Sequence, residues 1–204
     1  MHLSQTPANE DLWVFGYGSL MWQPGFEYIE RLPARITGLH RALCVYSFVH
    51  RGTPESPGLV LGLDRGGACR GVAYRVAAGF AEATVAYLRA REQVTKVYLE
   101  SMRRITLGTT PQRRSGEQVT ALVYLVDRSH PQYAGQLDLE RQLHLVRQGH
   151  GRSGANRDYV LSTVAEIEAQ GCHDPGLHLL AERLRGGHEV HAASKSELPP
   201  GRAS

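Results

Sequence analysis

Cysteine is scarce in this chain: Cys44, Cys69 and Cys172 are the only three in 204 residues. An odd number of widely spaced thiols makes a poor disulfide framework, so reduced cysteines and a cytoplasmic protein are expected. Long apolar runs are missing as well. No stretch approaches the roughly 20 residues that cross a bilayer, so no membrane association is expected. The opening MHLSQTPANEDLW has neither the basic nor the apolar segment of a signal peptide. Charge of one sign is also in short supply. Lys and Arg number 23 against 20 Asp and Glu, a net charge of +3, and no basic block is set among aromatics. A nucleic-acid partner is therefore not expected. The 10 histidines lack metal-ligand spacing. His188 and His191 are three apart without an HExxH arrangement, and a predicted helix end separates His144 from His150. With no carboxylates at ligand spacing, a metal site is not expected.

What remains is an ordinary globular composition, 42% hydrophobic and 21% charged, with enough length for one sizeable core. Residues 1–11 are polar and read as a flexible N-terminus. Strands are predicted over 12–17, 41–49 and, with highest apolar content, 120–126 (TALVYLV). The runs GLVLGL (58–63) and RGVAYRV (70–76) flank Asp64-Arg65-Gly66-Gly67, which reads as a hairpin turn. Residues 80–95 read as a helix and 97–107 as a polar-edged strand. Beyond 126 the period becomes helical. Leu139, Leu143 and Val146 form one stripe that stops at Gly149; Val160, Val164 and Ile167 form another, with Asn156 as a candidate cap and Gly171 as the stop. Asp174-Pro175 supplies an N-cap and a first-turn proline for a last helix. The segment 186–204 is small, polar and proline-bearing, and reads as a disordered tail. Strands early and helices late predict an α+β fold in a single domain over 12–185.

Two features could carry chemistry. The first is VFGYGSLMW (14–22), where two glycines interrupt a strand that returns at once to large apolar residues. Glycine lets the backbone approach a ligand closely, and consecutive N–H groups in such a turn can hold an anion or a developing oxyanion. The spacing is neither GxGxxG nor GxSxG, so nucleotide binding and a Ser19 nucleophile are both disfavoured. A tight bend with Trp22 packed on the core is the structural alternative. The second is Glu92. Ala81, Val85, Leu88 and Glu92 share one helix face, with Arg89 and Arg91 expected to point elsewhere. A carboxylate on an apolar stripe has its pKa raised, which suits a general base that later acts as an acid. Alternatively, Glu92 lies at a frayed helix end or pairs with an arginine. Cys44 and Cys69 fall within strands, where buried inert thiols are usual.

Taken together, VFGYGSLMWQPGFEY, HRGTPESPGLVLGL, GACRGVAYRV, YLRAREQVTKVY, VYLVDRSHPQYAGQL and GHGRSGANRDYV resemble the ChaC-like γ-glutamylcyclotransferases, which act on glutathione. The likeness covers about residues 12–185. It implies a mixed α+β fold with a small β-barrel-like sheet flanked by helices. It also implies cyclisation of a γ-glutamyl group to 5-oxoproline, with release of Cys-Gly from glutathione and no cofactor. The family's acid/base glutamate falls on Glu92. Its substrate loop falls on Gly16, Tyr17, Gly18, Ser19, Leu20 and Met21, and Tyr98 and Tyr133 match tyrosines near the pocket. Ser153 and Asn156 match a further motif without an assigned role. Other γ-glutamyl amines or amino acids are alternative substrates, and a non-catalytic regulator on the same scaffold is the alternative of a different class.

Overall fold

The structure is a computed structural model describing residues 10–92, 96–109 and 116–186. Most of the expected N-terminal segment and all but the first residue of the expected tail lie outside the described residues. Five strands close a barrel in the order β1-β3-β2-β4-β5: β1 (Leu12–Gly16), β2 (Glu30–Ser47), β3 (Gly58–Val76), β4 (Tyr98–Leu107) and β5 (Gln118–Val126). Neighbours pair antiparallel except β1 with β5, which run parallel and close the ring through Trp13–Ala121 and Val14–Leu122. Among the described residues four α-helices accompany it: α1 (Ala78–Glu92), α2 (Leu139–Gln148), α3 (Asn156–Ala169) and α4 (Pro175–Gly186). The expected mixed α+β fold with a barrel-like sheet is what is observed.

The sheet departs from expectation at its longest ladder. β2 and β3 form one ribbon of 18 and 19 residues, running from Glu30–Arg75 to Ser47–Gly58. The hairpin turn expected at residues 64–67 is therefore not formed, and β3 continues straight through it. Gly66 and Gly67, at φ 102° and 65°, stand opposite Gly38, at φ 81°, where the register shifts between Thr37 and Leu39. Two residues against one is a β-bulge, and left-handed backbone there is open mainly to glycine. The pair bends a strand instead of reversing it. Pro33 also lies inside β2, opposite Val72.

Burial follows the predicted stripes. Leu143, Val146, Val160, Val164 and Ile167 are all buried where α2 and α3 meet the barrel, each side chain contributing about 1.5–3 kcal/mol of transfer free energy. Asp174 Oδ1 accepts from the Leu177 N–H and so caps α4 as expected. Gly171, at φ 69°, ends α3 with its N–H on the Glu168 carbonyl. Asn156 does not cap α3; Ala155 holds that position, and Asn156 is the first helical residue. Its fully buried amide instead spans the backbone of β3, accepting from the Leu59 N–H at 2.6 Å and donating to the Leu59 carbonyl at 2.7 Å. Cys44 and Cys69 are buried and free, with burial pushing their thiols up to about 12 and about 11. Such thiols stay protonated and unreactive at neutral pH. Among the described residues, no helix is long and apolar enough to cross a membrane.

Candidate active site

At the end of β1 the chain turns sharply. Ser19–Met21 form a single 3-10 turn, closed by the Met21 N–H on the Gly18 carbonyl at 2.8 Å. The turn's own bonds use the N–H groups of Met21, Trp22 and Gln23 and leave those of Ser19 and Leu20 outside its ladder. Space is tight at Gly16: a Cβ there would stand 3.0 Å from Leu20 Cβ and 3.2 Å from the Leu20 carbonyl carbon. Gly18 has ordinary room, its nearest contact being Leu61 at 3.5 Å.

Two buried side chains hold the turn from beneath. The Tyr74 hydroxyl lies 2.9 Å from both the Leu20 and Met21 carbonyls. Arg41, only 7% exposed, donates to the Tyr17 carbonyl and, at 2.8 Å, to the Arg70 carbonyl. Its guanidinium also lies 3.6 Å from Asp174, which links the turn to the cap of α4. Neither residue stands out in the sequence.

Above the turn lies a cavity of about 600 Å³. Its walls include Tyr17, Gly18, Ser19 and Leu20 from the turn, Arg91 and Glu92 from α1, and Tyr98 from β4. Phe15, Val60, Leu61, Tyr87, Tyr124 and Tyr159 form its apolar and aromatic sides, and His50, Arg51 and Ser153 also line it. The cavity thus gathers Glu92, Tyr98 and four of the six turn residues singled out from sequence. Gly16 and Met21 support it from behind; Met21 is fully buried, with its sulfur 3.4 Å from Arg41.

Tyr133 lies elsewhere. Its hydroxyl donates to Asp64 Oδ2 at 2.7 Å, beside the Arg128 Nε that donates to Oδ1 at 2.6 Å. The reason is the loop after β5, which docks against the β2–β3 ribbon through Val45 and Cys44 instead of reaching the turn. Burial works against the Asp64 charge, but donation from Arg128, Tyr133 and the Arg65 N–H outweighs it and holds the carboxyl below its usual range. This group ties loop to barrel. A second cavity of about 570 Å³, lined by Ile36 of β2, Arg65 of β3 and Leu99 and Arg103 of β4 among others, contains none of the candidate site residues read from sequence.

Glu92 is the last residue of α1, and its side chain is 18% exposed. It is the last helical residue and lies 3.2 Å from Arg91 Nε, so the arginine pairing raised as an alternative is present. Burial nonetheless raises its pKa, and Arg91 offsets that rise only in part. Arg91 does not point away, as periodicity predicts. Its Nη2 donates to Ser19 Oγ at 2.9 Å and its Nη1 to the Gln23 carbonyl at 2.7 Å, fastening the end of α1 to the turn. Arg89 does point away, to a bidentate pair with Glu100 at 2.8 Å. Ser19 Oγ therefore accepts from an arginine, unlike a triad serine, which gives its proton to a histidine.

The tyrosines around Glu92 are held in their protonated form. Burial, then Tyr98 and Glu92, raise Tyr17 well above its usual range. Burial, then Tyr159 and Glu92, do the same for Tyr98, whose hydroxyl donates to the Leu61 carbonyl at 2.7 Å. The Tyr17 hydroxyl bonds to none of the other described residues. A partly buried carboxylate, two tyrosines and the 17–20 turn therefore line one cavity. Sequence reasoning missed Arg91's direction and gave no role to Arg51, His50, Tyr124 or Tyr159, although the stretches HRGTPESPGLVLGL, VYLVDRSHPQYAGQL and GHGRSGANRDYV contain them.

Comparison with known proteins agrees with this architecture. The chain is 34% identical over 193 residues to the glutathione-specific gamma-glutamylcyclotransferase of Escherichia coli (strain K12), covering 91% of this chain and 81% of that one. It is 34% identical over 169 residues to glutathione-specific gamma-glutamylcyclotransferase 1 of Danio rerio, covering 82% and 84%. The fold is similar to the crystal structure of a glutathione-specific gamma-glutamyl cyclotransferase from yeast, with a TM-score of 0.78 at 23% identity over 87% of this chain and 97% of that one. The profile of the family described as ChaC-like protein matches residues 12–185, and the chain belongs to that family.

Proposed function

We propose that this protein cyclises the γ-glutamyl group of glutathione, giving 5-oxoproline and Cys-Gly, with Glu92 as general base and then general acid. The observation that carries the reading is the convergence of Glu92 and the 17–20 turn on one cavity. The relatives named above act on glutathione by their names, and the partly buried carboxylate suits the proton transfers required.

The substrate's α-amine, once neutral, attacks its own γ-carbonyl carbon. A carbon–nitrogen bond forms as the carbonyl electrons move to oxygen. Glu92 takes a proton from the attacking nitrogen. The carbonyl then re-forms, the bond to the cysteinyl nitrogen breaks, and Glu92 returns the proton to that leaving nitrogen. Atoms and charge balance without a co-reactant. The Ser19 and Leu20 N–H groups and the Tyr17 hydroxyl are the donors assigned to the substrate carboxylate or the developing oxyanion. The apolar walls favour a folded, near-attack γ-glutamyl conformation. Three free thiols suit the reducing cytoplasm, where the same reading locates the protein.

The test is product analysis by mass spectrometry after incubation with glutathione and, separately, with γ-glutamyl-alanine. Equal amounts of 5-oxoproline and Cys-Gly from glutathione are expected. Folded protein that yields neither would overturn the proposal, and product from the dipeptide alone would move the substrate.

A further inference from the structure

The cavity's lining carries a second charged side chain, Arg51, opposite in sign to Glu92. Arg51 follows β2, with its N–H on Ser47 Oγ at 3.0 Å. Its guanidinium lies 5.2 Å from the centre of the Tyr159 ring, and its Nη1 donates to the Ser153 carbonyl. Its Nε and Nη2 meet no partner among the described residues, and Arg51 lines the cavity. Arg91, the other guanidinium of the cavity, is differently placed: all three of its nitrogens are engaged by Glu92, Ser19, the Gln23 and Pro24 carbonyls and Tyr87. Arg51 is thus the lining arginine with donors to offer.

Its position is built. The backbones of Arg152 and Ser153 donate to the Val49 and His50 carbonyls at 2.8 and 3.0 Å. A Cβ on Gly151 would stand 2.5 Å from the Val49 carbonyl oxygen, and one on Gly149 2.6 Å from that of Arg51, so glycine at both positions permits the close approach. His50 Nδ1 lies 3.0 Å from Ser153 Oγ, which orients the imidazole in the same lining. Tyr159, which packs under the Arg51 guanidinium, lines the same cavity as Glu92.

A γ-glutamyl group seated at Glu92 leaves its leaving peptide to fill the rest of the cavity. In glutathione that peptide is two residues, at most about 7 Å long, and ends in a carboxylate. We propose that Arg51, oriented by Ser153 and Tyr159 and flanked by His50, binds this distal carboxylate and sets a preference for γ-glutamyl peptides with an acidic end. The inference rests on the glutathione reading above. A planar guanidinium with two free nitrogens matches a carboxylate bidentately, a match that lysine does not reproduce. Because the contact lies away from the reacting atoms and forms equally in ground and transition states, it acts on KM more than on kcat.

The experiment compares 5-oxoproline formation from glutathione and from its C-terminal glycinamide, in the parent protein, Arg51→Gln and Arg51→Lys. The parent is expected to favour the acid by about 30-fold in kcat/KM, mostly through KM, the size of one charge-assisted pair. Arg51→Gln is expected to bring the ratio within about threefold, with Arg51→Lys between the two. A parent that turns over acid and amide equally well overturns the proposal, whatever the variants do. So does an Arg51→Gln protein that keeps the parent's ratio, and in both cases the cyclisation reading stands. Absence of 5-oxoproline from both substrates overturns both readings. Should Arg51→Gln fail to fold, an Arg51→Lys protein with the parent's full acid preference has the same contrary force.

Discussion

Arg91 Nε lies 3.2 Å from Glu92 Oε1, an ion pair between sequence neighbours at the last turn of α1. Consecutive residues do not face each other along a helix, and the end of α1 is where this pair forms. The same guanidinium reaches Ser19, so helix, turn and carboxylate are fastened by one side chain. The ion pair opposes the burial that raises the Glu92 pKa.

Arg91→Met removes that opposition. The acidic limb of the kcat–pH profile is expected to move to higher pH, with KM also raised by loosening of the turn. A limb that stays in place or moves to lower pH would show that the pair does not tune Glu92.

Gly16→Ala and Gly18→Ala separate fold from function. A methyl at 16 meets Leu20 Cβ at 3.0 Å and backbone just beyond, so the turn must shift. A loss of about 1–3 kcal/mol is expected, as for overpacking, read from the urea midpoint. A methyl at 18 fits at 3.5 Å from Leu61 but narrows the cavity. Stability within about 0.5 kcal/mol of the parent and a KM raised on the order of tenfold are expected there.

Asn156→Ala strands both polar groups of Leu59 in the interior. About 3 kcal/mol of stability is expected to be lost, since each unsatisfied buried group costs roughly 1–3 kcal/mol. An unchanged urea midpoint would mean that water satisfies Leu59 instead.

Tyr133→Phe tests the displaced tyrosine. Losing its bond to the Asp64 carboxylate is expected to cost about 1–2 kcal/mol of stability, with kcat/KM kept within about twofold. A kcat/KM lowered by an order of magnitude would return Tyr133 to the cavity's chemistry.

The parts of this molecule legible from sequence are those governed by nearby residues. The stripes Leu143–Val146 and Val160–Ile167, the Asp174 cap and the Gly171 stop all obey local rules, and the partial burial of Glu92 follows from three apolar neighbours on its helix face. The β2–β3 ribbon was hidden because Pro33 argues against a strand and Gly66–Gly67 argue for a turn, while the bulge opposite Gly38 exists only once the two strands pair. Part of the cavity lining was hidden for a related reason. Arg51 meets Ser153 across 102 positions and Asn156 meets Leu59 across 97, distances to which no periodicity is sensitive. Arg41 and Tyr74, which carry the turn, look like any strand residues until the chain is folded.

The most direct measurement is 5-oxoproline formation from glutathione by Glu92→Gln beside the parent, with thermal melts across pH. The account predicts a folded variant whose turnover falls by about 10²–10⁴, the usual contribution of a general acid/base. Because the folded carboxyl has a raised pKa, its burden on stability is absent below the unfolded value and grows as pH rises through the folded one. Glu92→Gln should therefore melt like the parent in acid and higher than the parent at neutral pH. A folded Glu92→Gln protein that still forms 5-oxoproline at the parent's rate would contradict the account at its centre.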